Sequence, residues 1–178
     1  TPEGITLTAS GGPYSWDLSS LTPDLRQTTV FQIASNGTAT GSFPGAELVT
    51  ISDVAGETYY DVNATAFSIF GVSGADVGGG FPIETDFVFS PPLPDLHAPL
   101  TFPNVYDPPP TSFGFSISSD VIPSEILDSL GVPSGFLDSI RLRITIDRND
   151  FVDAFGTISI PGGTYEVIQE KRTDVTET

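Results

Sequence analysis

Cysteine and methionine are absent from the 178 residues, histidine occurs once, and 6 Lys and Arg stand against 23 Asp and Glu, a formal charge of −17. Each shortage excludes chemistry. Without cysteine there is no disulfide, no thiolate nucleophile and no Cys-ligated zinc. A lone histidine, His97, cannot build a His-rich metal site or an HExxH centre within one chain. The acid excess repels phosphate backbones and anionic lipid, so neither nucleic acid nor a membrane surface is an expected partner. No apolar run approaches the roughly 18–20 residues of a membrane span, and no membrane insertion is expected. A chain without methionine does not start at its own initiator. A cleaved signal peptide, and with it an extracellular or cell-surface location, is the expected explanation; excision from a longer chain is the alternative.

What is present points to a turn-dense β-protein. Gly (18) and Pro (16) punctuate the chain, and 13 Phe supply core material. The dominant period is two. Ile140, Leu142, Ile144 and Ile146 alternate with Arg141, Arg143, Thr145 and Asp147, and Phe113, Phe115 and Ile117 alternate with Gly114, Ser116 and Ser118. Such half-polar runs predict strands with one wet face. About ten short strands separated by Gly11-Gly12-Pro13, Asn36-Gly37 and Pro161-Gly162-Gly163 predict an antiparallel β-sandwich of jelly-roll type, all-β with at most one or two short helical segments. One such segment is expected at Pro123–Gly131. The eight prolines of residues 91–110 predict a long extended connection. Residues 1–171 read as a single domain, and 172–178 as the start of a linker.

The charged residues admit few sites. Five of the six cations, Arg141, Arg143, Arg148, Lys171 and Arg172, fall in the last 38 residues. Cross-strand pairing with Asp147, Glu166 and Glu170 is the ordinary reading, and an anion-binding patch is the other. Asp147, Asn149, Asp150 and Asp153 crowd seven residues with the hard oxygen donors that Ca²⁺ prefers, although the EF-hand pattern is not met; a solvated acidic turn is the alternative. Glu84 and Asp86 are spaced to share a strand face, as a carboxylate pair for glycoside hydrolysis would be. His97, among prolines, reads as a hydrogen-bonded loop residue. Asn36-Gly37-Thr38 and Asn63-Ala64-Thr65 fit the N-glycosylation pattern.

Four collinear segments carry a resemblance. GGPYSWDLSSL (11–21), Tyr59-Tyr60 followed by 66–72, LTFPNVY (100–106) and DAFGTISIPGGTYEVIQEKR (153–172) resemble, in order, the "WDFSSL", "YY…GL…G", "FPLTY" and "GTLTLPGGTY" signatures of secreted Bacteroidota proteins that carry a type IX secretion C-terminal sorting domain. The chain departs from that pattern at Ile168-Gln169, where Leu-Arg is more usual. The resemblance implies export across the outer membrane and a place upstream of a sorting domain, and it brings no catalytic residues. Ser129 and Ser139, in Asp-Ser-aliphatic triplets, resemble O-glycosylation sites of exported Bacteroidota proteins.

The expected function is therefore a non-catalytic extracellular structural or adhesive module, without a cofactor unless Ca²⁺ binds. Its partners would be other extracellular modules or copies of itself. A carbohydrate-binding module, with Trp16, Tyr59, Tyr60 and Tyr106 as the glycan-stacking candidates, is the alternative. A carboxylate-dependent glycoside-active enzyme is the second. Trp16 reads first as a core anchor whose indole N–H finds a buried acceptor.

Overall fold

The computed structural model describes residues 9–22, 27–52, 56–74, 86–118, 122, 131 and 138–178. Ten strands follow in chain order: β1 (Gly11–Asp17), β2 (Gln32–Ile33), β3 (Leu48–Ser52), β4 (Gly56–Val62), β5 (Ala66–Ser73), β6 (Asp86–His97), β7 (Asn104–Tyr106), β8 (Thr111–Ser118), β9 (Ser139–Ile160) and β10 (Gly163–Glu177). Two single-turn 3-10 helices, Ala34–Asn36 and Thr40–Ser42, are the only helical elements among the described residues. The protein is all-β, as the twofold pattern predicts. Pairing runs β1-β9-β8-β6-β5-β4-β3-β2, with β7 and β10 also on β9, and it does not close into a barrel. The helical segment expected at 123–131 lies, Gly131 apart, outside the described residues.

The chain forms two compact units: Thr1–Thr28, Pro99–Pro108 and Arg148–Asp174 make the first, and Thr29–Ala98, Pro109–Asp147 and Val175–Thr178 the second. In the second unit the antiparallel register Ile33↔Leu48↔Tyr60↔Ile69↔Leu93 orders β2 to β6. Across one face lies a core of Ala34, Phe43, Val49 and Tyr59, with Ala39, Ala46 and Phe70 packed against it. Phe43 is 1% exposed and stacks on Tyr59 at 4.4 Å between centroids. Gly71 makes this possible: it has φ +153°, and a Cβ there would run into the Phe87 carbonyl and the Phe43 ring. The β4–β5 turn is held by Asn63, whose Oδ1 accepts from the Thr65 and Ala66 amides at 2.9 and 3.0 Å. The Asn63-Ala64-Thr65 triplet is thus a structural turn. Further along, β8 pairs β9 from Thr111↔Ile146 to Ser118↔Ser139, so Phe115, Ile117, Ile140 and Leu142 share the apolar face.

In the first unit β9 is the central strand. β1 lies beside it with Tyr14↔Gly156 and Trp16↔Ile158, β7 with Val105↔Phe151, and β10 returns along it after the Pro161-Gly162 turn. Gly162 supplies the left-handed backbone of that hairpin, with φ +113°.

Several expectations are corrected. The sheet is mixed, because β1 pairs β9 in parallel. Parallel pairing needs a long connection, and more than a hundred residues separate the two strands here. The proline-rich segment opens inside a strand, since β6 runs through Pro91, Pro92 and Pro94. Proline lacks the amide donor but suits extended backbone, and the β5–β6 register shifts between Ile69 and Gly71 and between Phe67 and Ser68, close to those prolines. Residues from Arg172 on, expected to begin a linker, continue β10 as far as Glu177. At Gly156, which faces β1, the Tyr14 main chain occupies the space a Cβ would take.

Phe43→Ala removes the ring that fills the Tyr59 side of the core. It is expected to destabilise by about 3–5 kcal/mol in urea unfolding, whereas a loss below about 1 kcal/mol would mean that the site is not packed as described.

Candidate functional site

Carboxylates are the most abundant chemical resource of the chain, so their partners decide what is left for function. In the first unit Asp150 and Asp153 are both 0% exposed. Such acids must be compensated. Asp150 receives a two-pronged guanidinium from Arg172, Nε to Oδ1 at 2.8 Å and Nη2 to Oδ2 at 3.2 Å. Arg148, itself nearly buried, forks onto Asp174 in the same way at 2.8 and 2.7 Å. Asp153 pairs with the Lys171 ammonium and accepts from Gln169 Nε2 at 2.8 Å and Ser10 Oγ at 3.0 Å. Burial pushes the Asp153 carboxyl upward, but the donors of Lys171, Gln169 and Ser10 and the Lys171 charge outweigh it and hold the acid below its ordinary range. The Arg148 donors hold Asp174 down likewise.

The four Ca²⁺ candidates are therefore placed otherwise than the sequence suggests. Residues 147–153 lie within β9 and form no turn. Asp150 and Asp153 carry cations, Asn149 Nδ2 donates to Asp107 Oδ1 at 3.4 Å, and Asp147 is exposed. Among the described residues no group of three or more His, Asp or Glu side chains is arranged to hold a metal.

A second knot of acid chemistry sits in the other unit. Glu57, 8% exposed, accepts from the Thr38 amide at 2.9 Å, the Thr38 hydroxyl at 3.0 Å, the Ala39 amide at 3.3 Å and the Tyr59 hydroxyl at 2.5 Å. Burial raises Glu57, and these donors more than reverse it, so it stays ionised; burial and the Glu57 acceptor push the Tyr59 hydroxyl up. The group pins residues 38–39 over the core. Asp86 accepts from the Ser42 hydroxyl, while Glu84 lies outside the described residues. His97, the last residue of β6, pairs with Ala66 and is half-buried on a strand, where a loop was expected.

The four aromatic candidates have separate surroundings. Tyr59 is fully buried and belongs to the core, which corrects its reading as a stacking residue. Tyr60 stacks on Phe67 at 4.9 Å and meets the edge of Phe31 at 5.4 Å, with its hydroxyl 3.2 Å from Thr50 Oγ1. Tyr106 is half-buried and donates to the Pro99 carbonyl at 2.7 Å. Trp16 is half-buried, tilted against Tyr14 at 5.7 Å, and lines an open groove of ≈ 210 Å³ with Leu18, Ile158, Val167 and Gln169. The buried acceptor expected for its indole N–H is not found among the described residues. Ser139 is exposed at the start of β9, and Ser129 lies outside the described residues.

Arg141 and Arg143, for which the sequence offered ion pairing or an anion-binding patch, lie in the second unit on an open groove of ≈ 580 Å³ over β6, β8 and β9. Comparison with family models, curated proteins and solved structures returns no match for this chain. No helix among the described residues is long and apolar enough to cross a membrane.

Asp153, held below its unfolded value, contributes stability that is present above about pH 4 and lost as the pH falls through its lowered value. Asp153→Asn is expected to cost about 3 kcal/mol at pH 7, and to flatten the fall of stability below pH 4, as read by denaturant unfolding across a pH series. An unchanged acid limb would remove Asp153 from that role.

Proposed function

We propose that the chain is a non-catalytic structural or adhesive module of an extracellular or cell-surface protein, acting through strand surfaces toward copies of itself or neighbouring modules. The observation that carries this reading is the β10 edge. Among the described residues β10 pairs with β9 alone, over a strand of 15 residues, and an open strand edge is a template for another strand. The engagement of Asp150, Asp153, Asp174 and Glu57 in ion pairs and hydrogen bonds also favours a structural use of these acids. The extracellular place rests on the resemblance to type IX secreted proteins. Within its first segment, 11–21, Asp17 Oδ1 accepts from the Ser19 amide at 3.0 Å and closes a local turn.

Light scattering over a rising concentration series is expected to give masses above the 18.8 kDa chain, and Ile168→Lys on the β10 edge to return the mass to one copy. A strict monomer throughout would overturn self-association.

A second reading, glycan binding, is favoured by the Trp16 groove, which offers a half-exposed indole whose N–H has no partner among the described residues. If it holds, a glycan array finds a ligand whose affinity falls at least about tenfold, roughly 1.4 kcal/mol, in Trp16→Ala. An array without binding retires it.

A further inference from the structure

Of the five cations among the described residues, three are committed to carboxylates: Arg148 to Asp174, Lys171 to Asp153 and Arg172 to Asp150. The other two, Arg141 and Arg143, have no carboxylate within ion-pairing distance among the described residues, in a chain with 23 acids. They stand two apart on β9, so both side chains leave the same face, some 7 Å apart along the strand.

Their surroundings are small and polar. The β8–β9 register sets Ser116 opposite Arg141 and Gly114 opposite Arg143, and Ser112 is held against Arg143 by a 3.0 Å bond from Nη2 to its Oγ. Ser90 pairs with Ser112 and extends the trough onto β6. Gly114 adds no side chain to the trough, and a Cβ there would meet the Leu142 carbonyl at 3.1 Å. The hydroxyls of Ser90 and Ser116 have no protein partner among the described residues. Two planar guanidiniums beside the Ser90 and Ser116 hydroxyls form a donor set for a carboxylate carried on a hydroxyl-bearing body.

We propose that this groove binds a carboxylate-bearing saccharide, with Arg141 and Arg143 holding the acid and the serines meeting sugar hydroxyls. It stands apart from self-association through β10, because its residues lie on β6, β8 and β9.

The test is calorimetric titration of the full chain with a galacturonic acid trisaccharide, its methyl ester, acetate and inorganic sulfate. The acid trisaccharide is expected to bind, the neutral ester at least tenfold more weakly, and Arg141→Ala and Arg143→Ala each to weaken binding about tenfold. The paired Arg→Lys variant, which keeps charge but loses the planar fork, is expected to recover part of the loss. Absence of trisaccharide binding, equal binding of acid and ester, or unchanged affinity in both alanine variants would overturn the proposal. Acetate or sulfate binding as tightly as the trisaccharide would overturn the saccharide assignment and leave a simple anion site.

Discussion

Two aspartates without solvent exposure, Asp150 and Asp153, constrain the first unit more tightly than any apolar contact in it. An ionised carboxylate out of water is tolerated only where charge and donors replace its hydration. Arg172 and Lys171 therefore have to meet β9 at fixed positions. A slip of β10 by one residue would turn both cations to the wrong face and strand two buried charges. Apolar residues specify this hairpin only in part, since residues 169–174 of β10 are all polar or charged. Its register is set by charge at one end and by the Gly162 turn at the other.

That arrangement explains which parts of the molecule were legible in the sequence. The alternation of Ile140 to Ile146 and of Phe113 to Ile117 is visible without coordinates, and these runs are paired strands sharing an apolar face. The Pro161-Gly162 hairpin was equally plain. Partnership between distant segments was not. The seven-residue acidic stretch read as a turn because local composition gives no sign that Lys171 and Arg172, some twenty residues on, return beside it. Parallel pairing of β1 with β9 was hidden for the same reason: a twofold period reports a strand but not its neighbour or direction. The β6 prolines misled differently. Proline is a poor ladder donor, yet Leu93 between them is buried and pairs with Ile69, so tertiary packing overrides the local preference.

The candidate aromatics divide along similar lines. Adjacent Tyr59 and Tyr60 look equivalent in sequence, but a strand sends neighbours to opposite faces. Tyr59 joins Phe43 in the core while Tyr60 meets Phe31 and Phe67. Trp16 follows a third course, half-buried beside Tyr14. Aromatic side chains thus serve as core filler, surface cluster and groove wall, and only the pairing register separates these uses.

The distribution of cations sets the last constraint. With a charge of −17, the long-range field disfavours the approach of any anion, so an acidic ligand gains nothing from steering. Whatever selectivity Arg141 and Arg143 possess must act at contact distance, through planar hydrogen bonding that a general field cannot supply. Added salt then has two opposed effects: it screens the repulsion from the whole surface and weakens the attraction of two exposed guanidiniums. Because these partly cancel, binding in this groove should vary less steeply with ionic strength than binding to a basic surface. Ligand shape, and not net charge, would then determine what stays.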